Sequence, residues 1–176
     1  HVLGDGISYY KTIYVITTGD DSYTGSQNSP YATINKGISS VNDSDNAVIY
    51  LSKGTFTGDN NTDLSISLAH EKYGGSLTII GQGIDKTFID GDSVSSFLKS
   101  VSGDTALTLI NISFINGKAS TGSMINCGGN LTVDNCVFEN NYATGSQGAI
   151  VSIGMDLKVT NSVFKNNKAS NQGPDI

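Results

Sequence analysis

The sequence contains no arginine and no tryptophan, and it has only two prolines and two cysteines in 176 residues. Its ten basic residues are therefore all lysines, and sixteen acidic residues outnumber them to give a net charge of −6. Recognition of nucleic-acid phosphates needs clustered cationic side chains, so a nucleic-acid partner is not predicted. Charged residues make up only 15 % and apolar residues 37 %, which argues against a disordered polyelectrolyte.

Long apolar runs are also missing from the sequence. No run reaches the ~18 residues that a membrane-spanning helix needs, so we do not predict an integral membrane segment. The chain opens at His1 without a start methionine or a signal peptide, which indicates an excised or mature segment with His1 left from a purification tag. Glycine, asparagine, serine and threonine together make 77 of the 176 residues. This composition disfavours helices and predicts an all-β protein that is secreted to a surface.

An internal repeat is the strongest signal in the sequence. Three copies, residues 107–119, 131–143 and 157–169, share leucine, asparagine, phenylalanine, asparagine and alanine at equivalent positions. The shared phenylalanines are 24 and then 26 residues apart. Residues 77–81 resemble an irregular earlier copy. Repeats of this length are typical of a solenoid in which each copy forms one coil.

The apolar pattern inside each copy predicts the architecture. Apolar residues alternate, turn at an asparagine and alternate again, and a further short strand precedes the second and third copies. We therefore predict a parallel β-helix with three short strands per coil and coils ~4.8 Å apart. Equivalent residues then form columns, namely a buried core stack of Leu107, Leu131, Leu157, Phe114, Phe138 and Phe164, and a structural corner ladder of Asn111, Asn135 and Asn161.

The N-terminal half lacks the regular repeat. Strands are predicted at residues 12–17, 47–52 and 76–81, with Ser29 and Pro30 starting a helix over about residues 30–42. We interpret this helix as a cap over the open apolar end of the first coil. Residues 1–106 then form the cap and the first irregular coils, and residues 107–176 form regular coils that are truncated at the C-terminus. Both parts are predicted to form one continuous domain.

Several motifs of the N-terminal half resemble a known family. They are Y-V, G-D-D, T-G-S and S-P-Y-A-T-I within residues 14–38, G-T-F-T-G at 54–58, and L-T-I-I-G followed by I-D-G within 77–91. They resemble the N-terminal segment of pectate-lyase-like right-handed β-helix proteins, a resemblance that implies a right-handed parallel β-helix for this chain. Together with the L-x-V-x-N-x-x-F-x-N-N coils, residues 12–170 look most like the adhesin-like surface proteins of methanogenic archaea.

That resemblance implies a long, secreted, cell-wall-attached protein that contacts other cells or surfaces. The implied partner is a glycan or a protein on the surface of another cell, and no cofactor is implied. We expect the segment to be a monomer and to act as a non-catalytic adhesion module outside the cell. A structural spacer that holds a distal adhesive domain away from the cell wall is one alternative.

A polysaccharide lyase or glycoside hydrolase is the other alternative, because the same fold carries such enzymes. A pectate-type lyase needs a cationic base, usually arginine, and a glycosidase needs converging carboxylates. The candidates are Asp90 and Asp92 with a lysine such as Lys86 or Lys99. We interpret both aspartates as turn residues and predict no catalytic residue.

Five further side chains have reactive or metal-binding chemistry. Asp20 and Asp21 are weak candidates for part of a Ca²⁺ site, which needs six or more oxygens, so no metal site is predicted. His70 is interpreted as an exposed loop residue. Cys127 and Cys136 are interpreted as two free, buried thiols, with a disulfide between them left open.

Partner contact is predicted at the corner loops, because a β-helix holds its strands rigid and varies its loops. The step from 24 to 26 residues places an insertion in residues 144–147. The predicted contact residues are Tyr23, Tyr142, Thr144, Ser146 and Gln147. Asn42 and Asn60 stand in glycosylation sequons in polar loops and are possible glycan carriers in a secreted protein.

Overall fold

The computed structural model describes residues 10–43, 45–68, 75–145, 148–152 and 156–170. Within them lie one short helix and eighteen strands, so the prediction of an all-β protein is confirmed. In chain order the elements are β1 (Tyr10–Val15), α1 (Ile34–Ser39), β2 (Asn46–Leu51), β3 (Gly54–Thr57), β4 (Leu64–Ile66), β5 (Gly75–Ile80), β6 (Thr87–Asp90), β7 (Leu98–Val101), β8 (Thr105–Ile110), β9 (Ser113–Ile115), β10 (Lys118–Ala119), β11 (Ile125–Cys127), β12 (Asn130–Asp134), β13 (Val137–Glu139), β14 (Tyr142–Ala143), β15 (Ile150–Ser152), β16 (Leu157–Thr160), β17 (Val163–Lys165) and β18 (Lys168–Ala169).

The strands form four sheets, and the pairings between these strands are all parallel. The strand orders are β1-β2-β5-β8-β12-β16, β17-β13-β9-β6-β3, β15-β11-β7-β4 and β10-β14-β18. Paired strands are one repeat apart in the sequence, and Leu131 lies in register between Leu107 and Leu157. The chain therefore stacks coil upon coil, as a parallel β-helix does. The six-stranded sheet continues without a break across the predicted boundary at residue 106. The division of the chain into two parts at that residue stays a prediction.

The regular coils contain a short strand that the prediction of three strands per coil did not include. This strand is β10, β14 or β18 in the successive coils, and each has only two residues. Two residues are too few to show an alternating pattern in the sequence. They pair only because the neighbouring coils bring equivalent residues into register.

Helix α1 is shorter than the predicted helix over about residues 30–42, and its N-cap is Thr33 instead of Ser29. The reason is the backbone of Tyr31. Its N–H donates to the Tyr14 carbonyl of β1 at 3.0 Å, and its carbonyl accepts from the N–H of Ile16, the residue after β1, at 2.9 Å. This pairing holds Tyr31 extended, so the helix cannot begin at Pro30.

Helix α1 contributes the buried side chains of Ile34 and Ile38 to the core and packs against β1. At Gly37 the helix lies so close to β1 that a Cβ atom at this position would be 3.0 Å from the Val15 side chain. The function of α1 as a cap stays a prediction, because residues 1–9 lie outside the described residues. No helix within the described residues has the length and hydrophobicity to cross a membrane.

The core consists of columns of side chains that point into the coils. Leu107, Leu131, Phe114 and Phe138 are almost completely buried. The Phe138 ring stacks on Phe114 at 4.8 Å and on Phe164 at 4.9 Å between ring centroids. Leu157 and Phe164 are only partly buried, since they belong to the last coil that the structure describes.

Candidate binding site

Asparagines in the left-handed backbone region form the corners of the regular coils. One column follows strands of the six-stranded sheet and a second follows strands of the five-stranded sheet. All six residues have φ between 49° and 61°, a region that asparagine tolerates better than most residues. The first column is Asn111, Asn135 and Asn161, and the second, which was not predicted, is Asn116, Asn140 and Asn166.

In the first column, the predicted ladder of hydrogen bonds between asparagine side chains joins only one pair of neighbours. Asn135 donates from Nδ2 to Oδ1 of Asn111 over 2.8 Å. Asn161 donates instead to Oδ1 of Asp134 over 2.9 Å, and this oxygen also accepts from the Thr160 hydroxyl. The hydrogen bonds from Asn161 and Thr160 are the largest causes that lower the pKa of Asp134. Asp134 therefore accepts the hydrogen bond from Asn161 that Asn135 would accept if the ladder continued.

Two further asparagines form a buried ladder that the sequence reasoning missed. Asn141 and Asn167 follow the second corner and are only 1 % and 6 % exposed. Oδ1 of Asn141 accepts from the Gly117 backbone N–H at 2.7 Å, and Oδ1 of Asn167 accepts from the Asn141 backbone N–H at 3.1 Å. Each side chain also donates to a phenylalanine carbonyl of the previous coil, Phe114 or Phe138. The signal in the sequence was the repeated Asn-Asn dipeptide at 140–141 and 166–167.

This buried ladder lies directly before the short strands, which expose a column of three side chains. In-register pairing places Tyr142 between Lys118 and Lys168. All three side chains are exposed, Tyr142 by 41 %. The residue that follows each of them is an alanine, and Ala143 is fully buried. We name Lys118, Tyr142 and Lys168 the Lys–Tyr–Lys column.

A shallow concavity of about 380 Å³ lies beside the column. Asn140, Asn166, Tyr142 and Lys168 line it, with the buried Asn141 at its base. The Tyr142 hydroxyl lies 3.0 Å from Oγ of Ser170, a hydrogen bond that fixes the direction of the ring.

The polar groups around this concavity are directed to solvent. Neither Lys118 nor Lys168 forms a salt bridge with another described residue, and the amides of Asn140 and Asn166 make no side-chain hydrogen bond with one. The ammonium and amide groups are hydrogen-bond donors for oxygen-rich ligands, and the Tyr142 ring offers an apolar face. The arrangement is therefore suited to binding, and none of the described residues that line the concavity is acidic.

The structure brings together only part of the contact surface predicted from the sequence. Tyr142 and Thr144 are neighbours at the short strand β14, and both are exposed. Tyr23 is 51 % exposed but lies in the loop between β1 and α1, where no described contact joins it to Tyr142. Ser146 and Gln147 lie outside the described residues.

The carboxylates of Asp20 and Asp21 bind different parts of the chain. Asp20 accepts a 2.8 Å hydrogen bond from the backbone of Ser22, and hydrogen bonds from the Ser22 side chain and backbone lower the pKa of Asp20. Asp21 accepts from the backbone N–H groups of Ala32 and Thr33 and from the Thr33 hydroxyl at 2.7–2.9 Å. These bonds hold a turn and the start of α1. Among the described residues no group of three or more histidine, cysteine or acidic side chains is placed to hold a metal ion.

The residues named for the enzyme alternative are dispersed. Oδ1 of Asp90 accepts from the backbone N–H of Asp92 at 2.8 Å and from the Asn116 amide at 3.1 Å, which stabilises a turn. Lys86 lies in the turn before β6, whereas Asp90 is the last residue of that strand. Lys99 lies on β7, in a different sheet. No described contact joins either lysine to the two carboxylates.

Both cysteines are free and buried. Burial raises the pKa of the Cys127 thiol and raises that of Cys136 to about 12. A thiol becomes a nucleophile only as the thiolate, so neither cysteine is suited to react at neutral pH. His70 lies outside the described residues, and Asn42 and Asn60 are exposed.

A family comparison covers the coils and the Lys–Tyr–Lys column together. The model of a family described as "Protein of unknown function (DUF1565)" matches residues 17–175. The chain belongs to the DUF1565 family. The region that matches the DUF1565 model contains all three repeats and the residues that line the concavity beside Tyr142.

No curated protein matches the sequence of this DUF1565 chain. Among solved structures, a rhamnogalacturonan lyase is similar at 18 % sequence identity with a TM-score of 0.41. The similarity covers 88 % of this chain and 50 % of the lyase chain, so this protein spans about half the length of that lyase.

Proposed function

We propose that this protein is a non-catalytic binding module outside the cell, which holds surface glycans or proteins of another cell through the Lys–Tyr–Lys column. The row of Lys118, Tyr142 and Lys168 carries this proposal, because three exposed side chains with groups that can contact a ligand stand in register on successive coils. Parallel pairing sets their spacing at ~4.8 Å. A partner with a repeating surface can therefore meet equivalent positions of the column at the same time.

Rigidity of the scaffold beneath the column supports a binding role. The buried amides of Asn141 and Asn167 connect three successive coils, and the rings of Phe114, Phe138 and Phe164 stack behind them. Ordering a mobile loop on binding lowers affinity, whereas side chains on strands already ordered avoid much of that cost.

The hydrogen bonds of several carboxylates support a binding role over acid–base catalysis by those groups. Asp21, Asp90 and Asp134 each accept two or more hydrogen bonds within the fold. A carboxyl group that acts as a general acid near neutral pH needs a raised pKa. The hydrogen bonds to Asp134 and Asp20 lower the pKa of both instead.

A binding screen of the whole chain against a glycan array and intact candidate cells tests the proposal. Tyr142→Ala removes the central ring of the column and is expected to weaken binding about two- to tenfold, the effect of one aromatic contact. Tyr23→Ala is the comparison variant, because Tyr23 is also an exposed tyrosine but lies in another part of the fold, so it separates the column from the contact predicted at Tyr23. Both variants are expected to keep the wild-type melting temperature.

The same samples are assayed for new reducing ends and unsaturated sugars. We expect partners to be retained without either product. Cleavage that Asp90→Asn abolishes would instead show an enzyme and overturn the proposal. Equal loss in the Tyr23 and Tyr142 variants would place binding elsewhere, and a chain that binds nothing would leave the role of a structural spacer.

A further inference from the structure

Asn116 and Gly117, at the corner that follows β9, form the only Asn-Gly pair in the sequence. In such a pair the backbone nitrogen of the glycine, which no side chain shields, can attack the amide of the asparagine. We infer that Asn116 is a deamidation site, and that the buried side chain of Asn141 keeps this site closed in the folded protein. The inference does not depend on the binding role proposed above.

The reaction joins two groups of neighbouring residues. The backbone nitrogen of Gly117 forms a bond to Cγ of Asn116, the bond between Cγ and Nδ2 breaks, and Nδ2 leaves as ammonia with the proton of the Gly117 N–H. Water then opens the cyclic imide at one of its two carbonyls, which restores the N–H and yields aspartate or isoaspartate. Water is the only co-reactant, so the rate depends on how freely the two groups meet.

Packing requires a glycine at position 117. A Cβ atom there would lie 2.2 Å from the Ser123 carbonyl oxygen and 2.9 Å from Oδ1 of Asn141, and both distances are too short for a side chain. The equivalent positions of the next two coils hold Asn141 and Asn167. The chemically weak pair therefore stands at one corner of three, where the fold cannot replace its glycine.

The fold holds both reacting groups in other hydrogen bonds. The buried N–H of Gly117 donates to Oδ1 of Asn141 at 2.7 Å. Nδ2 of Asn116 donates to Oδ1 of Asp90 at 3.1 Å. Attack needs the nitrogen to give up its proton and the Asn116 amide to turn towards it, so both bonds have to open first. Deamidation in the native protein is then limited by local opening of the buried ladder.

Deamidation would change the structure next to the site. Isoaspartate adds one backbone atom at position 116, two residues before β10 begins. The Gly117 carbonyl accepts from the Tyr142 N–H at 2.8 Å, beside the pairing that aligns Lys118 with Tyr142. Aspartate would place a carboxylate where the amide now donates to Asp90. A deamidated corner is therefore expected to be less stable and to shift the first lysine of the Lys–Tyr–Lys column.

Peptide mapping by mass spectrometry tests the inference on the whole chain, incubated at mildly alkaline pH with and without urea. We expect Asn116 to be the first asparagine to deamidate in urea, and to react at least about tenfold more slowly in the native chain. Asn141→Ala leaves the Gly117 N–H without its acceptor and is expected to speed native deamidation at Asn116 about five- to hundredfold.

Asn167→Ala is the matched control, because it removes the same amide from the same ladder one coil further on and leaves the acceptor of Gly117 in place. We expect its rate of deamidation at Asn116 to stay within about twofold of the wild type. Circular dichroism checks that both variants fold. Hydrogen exchange of the Gly117 amide in the wild-type protein is a second measurement that needs no variant, and strong protection is expected.

Four results would overturn the inference. They are deamidation of Asn116 as fast in the native chain as in urea, another asparagine that reacts first in urea, rapid exchange of the Gly117 amide, and equal rates in the Asn141 and Asn167 variants. The last result would show that global stability, and not the bond from Gly117 to Asn141, sets the rate.

Discussion

Replacing Asn141 with alanine tests the buried ladder that positions the binding strand. The substitution removes the Oδ1 acceptor for the Gly117 backbone N–H at 2.7 Å. It also removes the Nδ2 donor to the Phe114 carbonyl at 3.3 Å and to Oδ1 of Asn167 at 3.0 Å. Asn141 is 1 % exposed, so water has little access to the groups left behind.

The expected cost follows from which of these groups stays unsatisfied. The Gly117 N–H becomes a buried donor without an acceptor, which costs about 1–3 kcal/mol. Oδ1 of Asn167 keeps the Asn141 backbone N–H at 3.1 Å, so its loss is smaller. With the bond to Phe114 included, we expect the free energy of unfolding to fall by about 2–4 kcal/mol. For a chain of this size the melting temperature then falls by about 5–15 °C.

Urea and thermal unfolding followed by circular dichroism measure this effect. Asn140→Gly is the matched control, because Asn140 is the adjacent asparagine, is exposed, and has a φ of 58° that suits glycine. We expect the control to stay within about 0.5 kcal/mol of the wild type. If Asn141→Ala is as stable as Asn140→Gly, the buried amide contributes nothing beyond the corner and the reasoning is refuted.

Three further predictions concern the core, one surface carboxylate and a buried thiol. Phe138→Ala removes a fully buried ring between Phe114 and Phe164 and is expected to cost about 3–5 kcal/mol by urea unfolding, so an unchanged melting temperature would contradict the stacked core. Because hydrogen bonds lower the pKa of Asp134 in the folded state, its contribution to stability is present above the unfolded pKa of about 3.9 and is lost as the pH falls through the folded value. Asp134→Ala should therefore melt below the wild type at pH 7, with a gap that narrows in acid, and a gap constant to pH 2 would speak against the bonds. Cys136, whose pKa is about 12, should resist iodoacetamide at pH 8 until the chain is unfolded in urea, and rapid labelling of the native protein would show that the thiol is accessible.

Parallel stacking was predictable because equivalent residues of a repeat must occupy equivalent environments. Leucine and phenylalanine recur at fixed positions in all three copies, and the structure pairs them in register. A solenoid satisfies this requirement with one local pattern, so few alternative folds compete. The low content of helix-forming residues pointed in the same direction.

The N-terminal helix shows where local signals are insufficient. Ser29 and Pro30 form a good helix start by local preference. Tyr31, however, is bonded to β1, which is close in space but distant in the sequence, and the helix begins only after Thr33. A tertiary hydrogen bond has overridden the local preference.

The candidate site was only partly visible for a related reason. Tyr142 and Thr144 were predicted from the loop insertion at residues 144–147, which contains Thr144 and comes shortly after Tyr142. Lys118 and Lys168 were not predicted, because nothing in the sequence distinguishes them from the other lysines. They become part of the site only when the coils place them in register with Tyr142.

The sequence by itself determined the repeat, the strand character, the first column of asparagine corners and the apolar columns, because each depends on residues close together or on strict periodicity. Only the tertiary structure decided which asparagines are buried, where α1 begins, and that the short strands exist at all. Those features depend on hydrogen bonds between residues distant in the sequence. The buried asparagines bond to partners 24–29 residues away in the neighbouring coil, and Tyr31, which sets the start of α1, bonds to β1 and the residue after it. The alignment of coils also decides which exposed side chains become neighbours, and it places one tyrosine between two lysines.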